Sequence, residues 1–194
     1  VKNQMQIANS KRQSELHKLS PVFPNVVLPE IVFITSYPPR ECGIATYTQD
    51  LVKSIKDKFV DTFRISICAL QEGNANFQYP DEVLYTLNTK DSEGFENLAK
   101  ELNSNDQIQL IMIQHEFGFF HGANESDLLK FMYTLTKPIV VVFHTVLPSP
   151  SNKVRINVQR IAAISKSIVV MTNHSAKILD KDYNVSKSKI TVIE

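Results

Sequence analysis

The sequence predicts an α/β fold: a Rossmann-like open parallel sheet of about seven strands with helices on both faces. From residue 30 onward, short apolar runs alternate with amphipathic stretches. The runs at 109–113 and 139–143 are almost wholly apolar, which is typical of central parallel strands covered on both faces. Polar residues follow these runs directly, at the strand ends where open α/β sheets bind ligands.

The chain is predicted to have two parts. Residues 1–29 form an N-terminal arm or linker, or one additional helix, because a polar stretch with a weak helical pattern is followed by Pro21, Pro24 and Pro29. Residues 30–194 form the Rossmann-like domain. The sequence starts with Val1 and stops on a strand-like run, so we expect it to be a piece of a longer protein.

The first strand and helix show the alternation most clearly. Residues 31–34 are apolar and mostly β-branched, and Pro38 and Pro39 end the strand. From Ile44 the spacing of apolar residues changes to that of one helical face. The whole set of predicted strands is 31–36, 64–69, 82–87, 109–114, 138–143, 167–172 and 189–193.

The predicted helices are 44–58, 93–104, 124–136, 153–165 and 174–181. Asp91 or Ser92 is predicted to cap the second of them and Asn173 the last. The polar, turn-rich residues 71–81 are predicted to form a loop.

Composition excludes several classes of protein. A formal net charge of +1 gives no reason to expect a nucleic-acid partner. No apolar run approaches the roughly 20 residues of a transmembrane helix, so no transmembrane segment is expected. Two cysteines, Cys42 and Cys68, do not make a disulfide framework, and a reducing compartment is the default.

The loop after the first strand is a candidate anion site. Gly43 can adopt backbone angles closed to other residues and lets a group approach closely, and a helix N-terminus follows it. The loop has neither the dinucleotide-binding glycine pattern nor a P-loop lysine, which disfavours NAD binding and ATP hydrolysis. Two alternatives stay open: a backbone cradle for a pyrophosphate, or a turn without a ligand.

Histidines follow two central strands. His115 and Glu116 could orient their loop by hydrogen bonds or, with His121, hold a metal, although the spacing does not match a zinc motif. His144 could donate to a sugar hydroxyl, carry a proton, or serve a structural purpose. It could also act as a base for Cys42.

Four segments together resemble the N-terminal, acceptor-side domain of family 4 retaining glycosyltransferases, which have the GT-B fold. They are the first loop Thr35-Ser-Tyr-Pro-Pro-Arg-Glu-Cys-Gly-Ile-Ala-Thr-Tyr47, then Gln114-His-Glu-Phe-Gly118, Phe143-His-Thr-Val-Leu-Pro148, and the closing strands at 167–172 and 189–193. The resemblance covers about residues 30–194. The family often has Gly-Gly in the first loop, where this chain has Cys42-Gly43.

The resemblance implies two Rossmann-like domains facing a cleft, of which the C-terminal, donor-binding one is absent from this chain. It implies transfer of a hexose, with retention, from a UDP- or GDP-linked donor to a saccharide, glycolipid or other acceptor. We expect this piece alone to be inactive. No cofactor or metal is implied, because the nucleotide-sugar is a co-substrate and amides and cations stabilise the leaving diphosphate.

The resemblance also implies roles for single residues. His144 is the expected catalytic residue, and the donor diphosphate is expected near Cys42, Gly43 and Ile44. The side chains expected on the acceptor side are Arg40, His115, Glu116, Thr172 and Asn173.

Two other functions stay open at this stage. One is a noncatalytic ligand-binding or regulatory module with the same fold, and the other is half of a GT-B sugar phosphorylase or epimerase. We expect a cytoplasmic protein, either free or peripheral to the membrane.

Overall fold

A computed structural model describes residues 27–73, 77–120 and 124–193 of the chain. Most of the predicted arm at 1–29 therefore lies outside the described residues. The described strands are β1 (Glu30–Thr35), β2 (Arg64–Gln71), β3 (Val83–Asn88), β4 (Ile108–His115), β5 (Ile139–Phe143), β6 (Ser167–Val170) and β7 (Ile190–Val192).

The described helices are α1 (Gly43–Lys58), α2 (Ser92–Ser104), α3 (Asn124–Thr134), α4 (Asn152–Ile164) and α5 (Asn173–Tyr183), with short 3₁₀ turns at Phe117–Phe119 and Lys187–Lys189. Every element predicted from the sequence is present, and each boundary is within about two residues of the prediction. None of the helices that the structure describes combines the length and apolarity needed to cross a bilayer.

In the part of the chain that is described, the seven strands form one all-parallel sheet in the order β3-β2-β1-β4-β5-β6-β7. The predicted Rossmann-like fold is confirmed. The chain builds the sheet outward from β1 in one direction and then, from β4, in the other. Such a reversal opens a crevice at the carboxyl ends of β1 and β4.

Helices cover both faces of the sheet. On one face, Val52 of α1 packs in a small cluster with Phe33, Ile65 and Ile67. Neighbouring strand residues alternate between faces, so Val32 and Ile34 of β1 point the other way and join the larger core, to which α2–α5 all contribute. Thr35 Oγ1 lies 2.9 Å from Thr48 Oγ1, a buried hydrogen bond that fixes α1 on the first of these faces.

Helix capping confirms one prediction and corrects another. Asp91 caps α2 by accepting a hydrogen bond from the amide of Glu93. The predicted cap of the last helix, Asn173, is instead its first helical residue, and Thr172 Oγ1 accepts from the amide of Ser175 at 3.0 Å. Strand β6 is shorter than predicted because Thr172 belongs to this cap.

Candidate functional site

The segments singled out in the sequence come together at one edge of the sheet. They follow β1, β4, β5 and β6, which are neighbours in the sheet. Because all strands are parallel, their carboxyl ends lie at the same edge. The candidate site is therefore the crevice above β1 and β4, bordered by the N-terminus of α1.

Cys42 is the last residue of the loop after β1 and the N-cap of α1. Its Sγ accepts a hydrogen bond from the amide of Ala45 at 3.4 Å and lies 3.0 Å from Ser36 Oγ. The thiol thus takes the place that a serine or aspartate oxygen usually takes at a helix N-cap. The amides of Gly43 and Ile44 are the first of the helix and have no partner within it, the arrangement expected of an anion-binding helix end.

Gly43 does not adopt the left-handed conformation that the sequence allowed, because it is the first residue of α1. Among the described glycines, the one with a positive φ angle is Gly73. The other part of the expectation fits the structure: a Cβ at Gly43 would meet no atom within 4 Å. The space in front of this residue is open, so a ligand could approach the backbone there.

His144 directly follows β5, the neighbour of β4, and is held on several sides. Its Nε2 is 2.7 Å from Gln114 Oε1. Its backbone amide donates to the carbonyl of His115 at 3.1 Å. Tyr47 of α1 meets the imidazole ring edge to face at a centroid distance of 5.1 Å. Partial burial lowers the pKa of His144, while the Glu116 carboxylate opposes that shift.

Glu116 ties the loop after β4 to the loop after β5. Its Oε2 accepts a hydrogen bond from Thr145 Oγ1 at 2.7 Å. The carboxylate and His144 are therefore held beside each other by neighbouring residues of the two loops. This is the orienting role that the sequence left open for Glu116.

His115 points to the other face of the sheet. It is only 4% exposed, and its ring packs against Phe117, Phe120 and Phe143. Burial, together with the neighbouring His144, lowers the pKa of His115 to about 3, so the ring is neutral at physiological pH. Its side chain supports the aromatic cluster and offers almost no surface to a ligand.

Arg40, in the loop after β1, contacts residues at the end of β2 and in the loop after β4. Its guanidinium donates to the carbonyl of Leu70 at 3.3 Å, lies 3.7 Å from the carboxylate of Glu72, and sits over the ring of Phe119 at 5.4 Å. With 25% of its side chain exposed, Arg40 can still face a ligand at the rim of the crevice.

Thr172 and Asn173 lie at the same edge, after β6. Both are exposed, and the hydroxyl of Thr172 is already used for the cap of α5. Tyr47 connects this region to the centre of the site, because its hydroxyl donates to Met171 Sδ at 3.7 Å. Burial raises the pKa of Tyr47, which keeps the phenol protonated.

Two site residues, Gln114 and Tyr47, were not among the candidates from the sequence. Gln114 directly follows the apolar run 110–113 of a central strand, and that contrast was the available signal. Tyr47 had no comparable signal, because an aromatic residue on a helix is usually a packing residue. Cys42 and His144 have separate partners among the described residues, so the structure gives no support to a nucleophile-base pair.

Within the described ranges, no group of three or more His, Cys, Asp or Glu side chains could hold a metal ion. His121, which the sequence offered as a third ligand, lies outside the described residues.

Comparisons with known proteins give no family for this chain: no protein-family model matches it, and no curated protein matches it. The fold and the candidate site define a Rossmann-like parallel α/β domain in which His144 is bonded to Gln114 of β4, one of the two strands at the switch point.

Proposed function

We propose that this chain is the acceptor-side domain of a retaining glycosyltransferase that uses a nucleotide-sugar. The observation that carries the proposal is the position of His144, whose ring contacts Tyr47 of α1. The first two amides of this helix, at Gly43 and Ile44, have no partner within the helix. A transferase of this class needs an anion-stabilising group and a sugar-contacting group on either side of the bond that breaks. Both kinds of group border this crevice.

In this proposal the helix end stabilises the leaving diphosphate. The amides of Gly43 and Ile44 carry the positive end of the α1 dipole, and they are in place before the reaction begins. The open space at Gly43 leaves room for phosphate oxygens. Cys42 holds the loop by its two hydrogen bonds and is not required to touch the ligand.

His144 contacts the transferred sugar, and Glu116 helps to hold the His144 side chain in place. Arg40 is proposed to meet the acceptor at the rim, because a quarter of its side chain is exposed. Thr172 and Asn173 are also proposed to contact the acceptor. His115 supports the site only by packing on the opposite face of the sheet. The UDP- or GDP-linked donor and the saccharide or glycolipid acceptor are proposed from the family resemblance, and the cytoplasmic location is proposed from the cysteine content.

The test is a transfer and hydrolysis assay of the polypeptide that the complete gene encodes, with UDP- and GDP-hexoses as donors. We expect activity with one donor and a loss of about 100-fold or more in His144→Ala, as removal of one transition-state contact can produce. Gly43→Ala is expected to fold normally, because the added methyl group meets no atom, and to lose activity if phosphate oxygens approach there.

Val60→Ala is the control, since this side chain is 70% exposed and precedes β2 at the opposite edge of the sheet. No turnover with any donor by folded protein would contradict the proposal and favour the noncatalytic binding module. Phosphate-dependent cleavage of a glycoside would favour a sugar phosphorylase.

A further inference from the structure

Strand register places Gln114 beside His144. Gln114 of β4 pairs with Val142 of β5, and residues two apart on a strand point to the same face. Gln114 and His144 therefore both face α1, whereas His115 faces the other way. Gln114 is fully buried, so its carboxamide has few alternative positions.

The hydrogen bond between the two residues determines where the imidazole proton sits. Gln114 Oε1 is a carbonyl oxygen and can only accept, so the atom that donates to it across 2.7 Å is His144 Nε2. In a neutral imidazole the other nitrogen, Nδ1, then carries the lone pair. Nδ1 makes no hydrogen bond to any residue in the described ranges.

The other groups around the ring are consistent with a neutral imidazole. Tyr47 approaches from α1, and its phenol is protonated. His115 lies on β4 and is neutral. Glu116, the acidic group that acts on the ring, has one carboxylate oxygen bonded to Thr145, and its effect does not outweigh burial.

If Gln114 served only to fill space in the core, it would be a destabilising residue. Its Nε2 is buried and has no hydrogen-bond partner among the described residues. An unsatisfied buried donor destabilises the folded state, and an apolar side chain of similar size would avoid that cost. The feature that only a polar side chain provides here is the bond to His144.

We propose that Gln114 is a positioning residue that holds His144 as its neutral Nε2–H tautomer, leaving Nδ1 as the ring atom that accepts a hydrogen bond or a proton from a ligand. The partner of Nδ1 is then a hydroxyl or an N–H group and not a phosphate oxygen, since two acceptors repel. This reverses the direction of donation that the sequence suggested. Only the identity of the partner as a sugar hydroxyl rests on the proposed function; the tautomer does not.

Two-bond ¹H–¹⁵N correlation spectra of the histidine-labelled 194-residue chain test the proposal. His144→Gln assigns the signals of His144. We expect the Nε2–H pattern at neutral pH in the wild type and a mixture of both tautomers in Gln114→Leu, without a loss of thermal stability. Gln114→Glu retains an acceptor, so it should restore the Nε2–H tautomer and make His144 titrate at higher pH.

Ser66→Ala is the control, because Ser66 is a buried polar residue of β2 whose hydrogen bond goes to Glu30 and not to His144. An Nδ1–H pattern in the wild type would overturn the proposal, because the carboxamide would then donate to the ring. Unchanged tautomer populations in Gln114→Leu, or loss of the Nε2–H form in Gln114→Glu, would do so too. If Gln114→Leu does not fold, the wild type and Gln114→Glu decide. None of these spectra requires turnover, so a failure of the glycosyl-transfer assay leaves this test intact.

Discussion

Acidification should destabilise this protein through one buried imidazole. His115 has a pKa of about 3 in the folded protein and 6.5 in its unperturbed state, because burial among phenyl rings disfavours its charged form. A folded-state pKa below the unfolded value means that the unfolded chain binds a proton first. The protonation of His115 therefore has little effect on the free energy of unfolding above about pH 6.5. Below that pH the free energy of unfolding falls, and it continues to fall until the pH reaches about 3.

The magnitude follows from these two pKa values. Between about pH 7.5 and about pH 5.5, the unfolded chain gains most of a proton at this position and the folded chain gains almost none. Integrating the proton difference gives a loss of about 1.4 kcal/mol in the free energy of unfolding. His144, whose pKa is also lowered, acts in the same direction.

Urea unfolding of the wild type and of His115→Leu at both pH values isolates the contribution of His115. The variant keeps an apolar side chain against the phenyl rings and should lose about 1.4 kcal/mol less than the wild type on acidification. His174→Gln is the control, since it removes an exposed histidine at the start of α5. An equal loss of stability in the wild type and in His115→Leu would refute the reasoning.

Three further outcomes are expected. Lys189→Met should destabilise the fold by about 2 kcal/mol, because Lys189 Nζ donates to three carbonyls at the end of α4, at 2.7, 3.0 and 3.0 Å; an unchanged urea midpoint would contradict this. Arg64→Met should lower the free energy of unfolding by about 1 to 2 kcal/mol, because it removes the cation that lies 2.8 Å from the fully buried Glu30 carboxylate. The effect is limited because Arg64 itself is largely exposed. A thiol reagent should label Cys42 in the native protein and Cys68 only on unfolding, because Cys68 is fully buried and burial raises the pKa of its thiol. Mass spectrometry of the labelled protein checks this, and early labelling of Cys68 would show that β2 opens without global unfolding.

The elements of the fold could be predicted because each has a local signal. Apolar runs such as 139–143 admit few structures other than a buried strand, and the proline residues after β1 end that strand unambiguously. The sequence favours Asn173 as the cap of α5, but Asn and Thr both cap helices well. Only the extended backbone of Thr172 shows that Thr172 is the cap.

The candidate site was predicted as a set of segments and not as a set of contacts. Parallel strands with helical crossovers place their carboxyl ends together, so the segments around Gly43, His115 and His144 were expected at one edge. The two histidines looked alike in sequence, since each ends a central strand. Their surroundings differ because the pleat turns one toward α1 and the other into the opposite core.

By itself the sequence determined the α/β class, the order and extent of the elements and the edge of the sheet at which the candidate segments meet, because these depend on local periodicity and on the geometry of parallel sheets. The tertiary structure alone decided the strand order, the partner of His144 and the burial of His115, since these depend on which residues meet across β1, β4 and β5. Register is a long-range property: a shift of one residue between β4 and β5 would place Gln114 on the far face from His144.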